Sequence, residues 1–339
     1  MLTEITASVA ACVAVGDDVR SDWVRPYTPP RERELNQFLV LLKPELTAPG
    51  GTPATAALAR VLGLLAEHRV QVGAVRVVSS GYLSTYRVVE HQYRMLNEVS
   101  RGGLPATSAA ARDKLAVAYP YAAADARRVL GGHQFLQQCP EVSAFALDLL
   151  TRNVSVTKLG AGTYAIEILF DGERLVLLNP FHPQQLAHFT RPGQSIVLLE
   201  CTSARPLRDL RREVIGATDP HDAVPGSIKR ILLDEQDRLG LSGICTRQNA
   251  IHMSPGPVEG MVGLRRFFST PDAEIAVGDT AFGAALLTKG HDAGAVAALS
   301  ADPEVHLDGR VGPLFEVTED MNWDEALEFT DHVLTRGMS

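Results

Sequence analysis

The chain has 339 residues, 45% hydrophobic and 21% charged, a balance that suits a globular protein of about two domains at roughly 150 residues each. Its 32 basic and 40 acidic residues leave a formal net charge of −8, which speaks against a duplex-coating role because counterion release needs a basic face. No uncharged apolar run reaches about 18 residues, so no membrane span is expected, and Glu4 stands where a secretory leader would carry a basic residue.

Residues 1–36 read as an N-terminal arm ending in a Pro/Arg-rich stretch. The apolar run 37–46 reads as a buried strand closed by Lys43-Pro44. Gly50, Gly51 and Pro53 break the chain, with Thr52 as the expected cap of a helix over 54–70. A second strand is expected over 72–78 and a helix over Ser84–Val99, where Val88, Val89, Tyr93 and Leu96 share a face. Residues 100–150 are Ala-rich and helical, broken at Gly102-Gly103 and Gly131-Gly132. The period then changes to that of strands up to 178, with Asp171-Gly172 as a hairpin turn. A short helix (183–189), a buried strand (195–201), a helix (207–215) and a turn-rich loop (216–228) follow. The last segment closes with a helix over 322–336. This order predicts an α/β sandwich with a mostly antiparallel or mixed sheet. Cys12, Cys139, Cys201 and Cys245 are widely spaced, so neither a disulfide framework nor a zinc site is expected and a cytoplasmic location is.

Three segments carry chemistry. Lys43-Pro44-Glu45 ends a buried strand. Arg212, Gly216, Thr218 and Lys229 surround a Gly/Thr/Pro loop. Asn249, His252 and Ser254 lie close together further on. Fixed cations and a loop hydroxyl suit an oligophosphate, whose charge must be neutralised during transfer, and a neutral imidazole can act as a nucleophile that divides the transfer into two steps. Singly, each segment reads as ordinary structure: a strand exit, a surface loop, a solvated helix arginine.

In their order and spacing the three segments resemble the nucleoside diphosphate kinase family. LKPEL stands for the family's IKPDG, Arg212-Glu213-Val214-Ile215-Gly216-Ala217-Thr218-Asp219-Pro220 with Pro225-Gly226-Ser227-Ile228-Lys229 for its phosphate segment, and Asn249-Ala250-Ile251-His252-Met253-Ser254 for its nucleophile motif. The resemblance implies a ferredoxin-like α/β sandwich over 37–268, interrupted by an inserted subdomain at about 94–178 and followed by a C-terminal extension, 269–339. It implies that His252 carries the transferred phosphoryl group, with Lys43 and Asn249 beside it. Lys43, Arg212, Thr218, Lys229 and Asn249 would bind nucleotide phosphate or sugar, Phe181 would stack on the base, and Tyr93, Ser254 and Glu259 would support. It also implies ATP or another nucleoside triphosphate as donor, Mg²⁺ held through the phosphates rather than by the protein, nucleotide substrates as partners in place of nucleic acid or membrane, and a homo-oligomer. The departures are specific. Lys229 stands for arginine, Met253 for glycine and Pro255 for aspartate, the glutamate further along has no clear counterpart (Gly263 without a gap, Glu259 with a shift), and the chain is more than twice the family's usual length. A catalytically degenerate nucleotide-binding or interaction protein on the same fold is the alternative.

Overall fold

The computed structural model describes residues 1–30, 35–47, 54–307 and 309–336. The cap expected at Thr52, with Gly50, Gly51 and Pro53, lies outside the described residues. The chain forms two compact units, Met1–Tyr86 with Arg191–Ser339, and Arg87–Thr190. In chain order the strands are β1 (Ser21–Arg25), β2 (Asn36–Leu42), β3 (Gln71–Ser79), β4 (Val129–Gly131), β5 (Val156–Gly160), β6 (Thr163–Phe170), β7 (Glu173–Leu178), β8 (Ser195–Ser203), β9 (Ile251–Met253), β10 (Glu304–Leu307) and β11 (Arg310–Pro313).

In the first unit, β1-β3-β8-β2-β9 form one sheet, and every pairing in it is antiparallel. All seven residues of β2 are buried, because both of its faces are covered. Phe38, Val40 and Leu42 join Val75, Val77, Val197 and Leu199 in a core that also takes Ala57, Leu58, Val61 and Leu65 from the helix Thr55–Glu67. The opposite face lies under the helix Pro257–Phe268, where Gly260 and Gly263 let the backbones approach. A Cβ on Gly260 would stand 2.9 Å from Gln37 O, closer than carbon and oxygen pack. The outer side of that helix, with Val258, Met261 and Val262, builds a second core with Phe282, Leu286, Val296, Leu314 and Phe329 of the C-terminal extension.

The first 30 residues are more than an arm. Ile5, Val9 and Cys12 of the helix Leu2–Ala14 enter the first core, and β1 supplies the sheet edge. The helix expected over Ser84–Val99 is instead three short pieces, Ser80–Thr85, Val88–Gln92 and Arg94–Gly102. Arg87 takes a left-handed φ of 50°, which a continuous right-handed helix does not tolerate.

In the second unit the sheet order is β4-β7-β6-β5, with β4–β7 parallel and the other pairs antiparallel. Strand alternation sends Ala165, Val176 and Leu178 to one small core and Ile166, Ile168 and Leu177 to another. Phe170 pairs with Glu173 across Asp171 and Gly172, whose φ values of 50° and 77° are both positive, as a type I′ hairpin turn requires. Among the described residues no helix is long and apolar enough to cross a membrane.

Arg76 on β3 is 1% exposed. Its Nε donates to Ser21 Oγ at 2.8 Å, and one terminal nitrogen donates to Phe267 O at 2.7 Å and Ser269 O at 2.9 Å. The guanidinium carbon lies 5.1 Å from the Trp23 ring centroid and 4.7 Å from that of Tyr82. It thereby ties the C-terminal end of the helix Pro257–Phe268 to β3. Arg76→Met strands the buried Phe267 carbonyl and the partly buried Ser269 carbonyl and is expected to lower stability by about 2–4 kcal/mol, read as a lower urea midpoint in tryptophan fluorescence. An unchanged midpoint would show the carbonyls to be satisfied without it.

Candidate functional site

The site grows from the end of β2. Leu42 pairs with Ile251, Leu41 with His252 and Val40 with Met253, so the three-residue β9 presents His252 beside the strand exit. One step beyond the ladder, Lys43 N–H donates to Ala250 O at 2.9 Å, and Ala250 N–H donates to Glu45 Oε1 at 2.7 Å. These bonds hold Ala250 at φ 68°, a conformation that residues with a Cβ adopt only where their surroundings enforce it. Lys43 Nζ donates to Asn249 Oδ1 at 2.6 Å, and Asn249 Nδ2 donates to Thr218 O at 2.9 Å. Asn249 thus joins the strand exit to the turn-rich loop. That loop begins at Gly216, where φ is 98° and a Cβ would stand 2.7 Å from Ser227 Oγ and 3.3 Å from Lys229 Cβ. Only glycine fits, and its absence of a side chain brings the helix Ile228–Asp234, with Lys229, against the loop.

Lys43 and Lys229 are each 7% exposed. Burial pushes the Lys43 ammonium down, with Glu45 and Cys245 opposing. Burial, then the charges of Lys43 and Arg211, push Lys229 down to about 7. Burial and the charges of Lys43, Lys229 and Arg211 hold His252 at about 3, so its imidazole is neutral at physiological pH. His252 keeps part of its surface exposed, while its Nε2 is shut away from solvent. The charges of Lys43 and Arg211 act on both Lys229 and His252.

Arg212, chosen from sequence, is exposed; its neighbour Arg211 is the arginine whose charge reaches His252 and Lys229. Leu210–Ile215 is a π-helix, whose wider turn shifts the facing residue. Two adjacent arginines advertise a cation in the sequence but not which one faces inward. Arg211 pairs with Asp320 and, at 2.7 Å, with Glu319 Oε1, an ion pair no local sequence signal announces. Thr218 is exposed and meets Asn249 through its carbonyl. Ser254 is buried, with its Oγ accepting from Leu39 N–H at 3.2 Å, which pins the end of β9. Glu259, on the helix Pro257–Phe268, is pushed up to about 7 by burial and then Asp302, with Arg266 and Arg211 opposing and Glu319 adding; Asp302 and Glu319 come from the C-terminal extension, and Arg211 is the arginine that also acts on His252. Tyr93 and Phe181 belong to the second unit, where Phe181 meets the Tyr164 ring at 5.9 Å between centroids. Among the described residues no group of three or more His, Cys, Asp or Glu side chains is arranged to hold a metal ion.

No protein-family model matches the chain, and no curated protein matches it. Among solved structures, an NDP kinase from Pyrobaculum aerophilum is similar at 15% sequence identity and a TM-score of 0.35, over 70% of this chain and 98% of that one.

The lowered Lys229 makes a stability test. Between about 7 and its ordinary value of 10.5, the unfolded chain holds a proton that the folded one lacks, so stability rises with pH across that window. Below it, the folded chain buries a charged lysine among like charges. Lys229→Met is therefore expected to stabilise the ligand-free protein at pH 6, by about 1–3 kcal/mol, and to flatten the rise towards pH 10. Denaturant titrations at pH 6 and pH 9 measure both, and a destabilised variant at pH 6 would contradict the burial of charge described here.

Proposed function

We propose that the chain is a nucleoside diphosphate kinase-like phosphotransferase, which moves the terminal phosphate of a nucleoside triphosphate through a phosphohistidine at His252 to a nucleoside diphosphate or a related phosphorylated acceptor. The strand order supports the fold half of this reading. Taken in chain order, β2, β3, β8 and β9 lie in the sheet as second, third, first, fourth, antiparallel throughout, the arrangement of a ferredoxin-like sandwich. The observation that carries the chemical half is a neutral imidazole on which the charges of Lys43, Lys229 and Arg211 act together. A phosphate chain entering beside it would meet all three cations.

In this reading the Nδ1 lone pair attacks the terminal phosphorus in line, because Nε2 is turned away from solvent. The phosphorus–oxygen bond to the leaving diphosphate breaks, and its electron pair stays on that oxygen. An acceptor oxygen then attacks the same phosphorus and the phosphorus–nitrogen bond breaks, which returns the imidazole. The imidazole needs no base to become nucleophilic, so catalysis rests on positioning and on cations facing the charge that spreads over the moving group. Lys43 and Lys229 would bind phosphate oxygens, and Asn249 would hold Lys43 in place. A Mg²⁺ ion would enter with the nucleotide, held through it rather than by the protein, and would help neutralise the phosphate charge.

Incubation with γ-labelled ATP and no acceptor is expected to leave an acid-labile, base-stable label on the wild type and none on His252→Asn. Addition of a nucleoside diphosphate should discharge the label, and initial rates should follow ping-pong kinetics. Arg212→Ala should label at the wild-type rate. Tight triphosphate binding with no label on the wild type would instead mark a nucleotide-binding protein that has lost the transfer step.

A further inference from the structure

We propose that the tail segment 318–322 is a working part of the phosphate site, in which Asp320 and Glu319 are positioning residues that hold the Arg211 guanidinium towards the anion bound beside His252. The inference rests on the phosphotransfer reading and extends it to a part of the chain that the family resemblance leaves unexplained.

Five contacts carry it. Arg211 donates from one terminal nitrogen to Asp320 and from the other to Glu319 Oε1, the latter at 2.7 Å. Asp320 N–H donates to Pro255 O at 3.0 Å, two residues beyond β9. A Cβ on Gly256 would stand 2.7 Å from Thr318 O, so the two backbones meet at van der Waals distance there and only a glycine admits the approach. Asn322 Oδ1 accepts from Leu207 N–H at 2.9 Å, at the start of the helical stretch that carries Arg211. The segment thus bridges the strand bearing His252 and the stretch 207–215, which pack against each other. Asp320 adopts a left-handed φ of 64° to do so.

The chemistry follows from the donor count. A guanidinium has five N–H groups in a rigid plane. Two carboxylates occupy one donor on each terminal nitrogen and fix the plane, while the remaining donors stay available to a phosphate. Arg211 is partly exposed, with 29% of its side-chain surface open. Without the two acids it would lose rotamer order that the transfer geometry needs.

The test is a double-mutant cycle on the rate of His252 labelling by γ-labelled MgATP, with MgATP affinity measured in parallel by calorimetry. Asp320→Asn and Glu319→Gln together are expected to slow labelling about tenfold while changing the dissociation constant less than threefold. In an Arg211→Ala background the same pair should have no further effect, because their influence runs through that guanidinium. If they slow labelling equally in both backgrounds, the segment acts as general scaffolding and the proposal is overturned. Faster labelling in the Asp320→Asn and Glu319→Gln protein would also overturn it, since the acids would then be competing with phosphate for Arg211. A wild type that neither binds MgATP nor labels removes the phosphotransfer reading and this inference together, whereas labelling with an additive cycle removes this inference alone.

Discussion

The 2.6 Å bond from Lys43 Nζ to Asn249 Oδ1 joins the end of β2 to the residue just ahead of β9, and the other end of the same amide reaches Thr218 O at 2.9 Å. Segments more than 200 residues apart in the chain meet in one side chain. The bond has a physical reason to exist: an ammonium 7% exposed is expensive to bury unless its donors are taken up. Once Asn249 is fixed by that demand, Ala250 must turn through φ 68° to let β9 pair with β2. Glu45 and the Lys43 amide hold the turn from both sides. A three-residue strand cannot orient a histidine by its own ladder, so the aim of His252 depends on this junction.

The parts of the fold that were legible in the sequence are those set by burial and by local backbone chemistry. The continuous apolar runs of β2, β3 and β8 announce strands covered on both faces, and Asp171-Gly172 announces its own turn. Lys43, Asn249 and His252, singled out by their order and spacing, come together at the end of β2. Arg211 is not, since a π turn between two adjacent arginines leaves no trace in composition or period. The ion pairs from Arg211 to Glu319 and Asp320 span more than 100 residues, beyond the reach of any local pattern. The break at Arg87 was hidden too, because Val88, Val89, Tyr93 and Leu96 keep helical spacing across a residue that leaves the helix.

Charge is distributed in this unit to a consistent plan. The charges of Lys43, Lys229 and Arg211 act on His252, while Glu45 is bonded to Ala250 N–H, Glu319 and Asp320 pair with Arg211, and Asp302 and Glu319 act on Glu259. A carboxylate in direct contact with the imidazole would raise its proton affinity and favour the imidazolium, which has no lone pair to offer. Glu45 is engaged by a backbone amide and Glu319 and Asp320 by Arg211, while burial, with the charges of Lys43, Lys229 and Arg211, holds the histidine neutral.

Lysine at position 229, where the family resemblance expects arginine, changes how that field responds to a ligand. A guanidinium remains charged across the accessible pH range, so three permanent cations would repel one another in the empty site. Lys229, pushed down to about 7, can surrender its proton when the site is empty, which relieves its repulsion with Lys43 and Arg211. In the proposed phosphate site an arriving anion would reverse the balance: it would favour the ammonium, and a proton would be taken up on binding. On the proposed reading, lysine here would exchange the planar two-oxygen grip of arginine for a charge that forms when the anion is present. The same desolvation that keeps His252 neutral makes that exchange possible, because in a wet site neither group would leave its ordinary range.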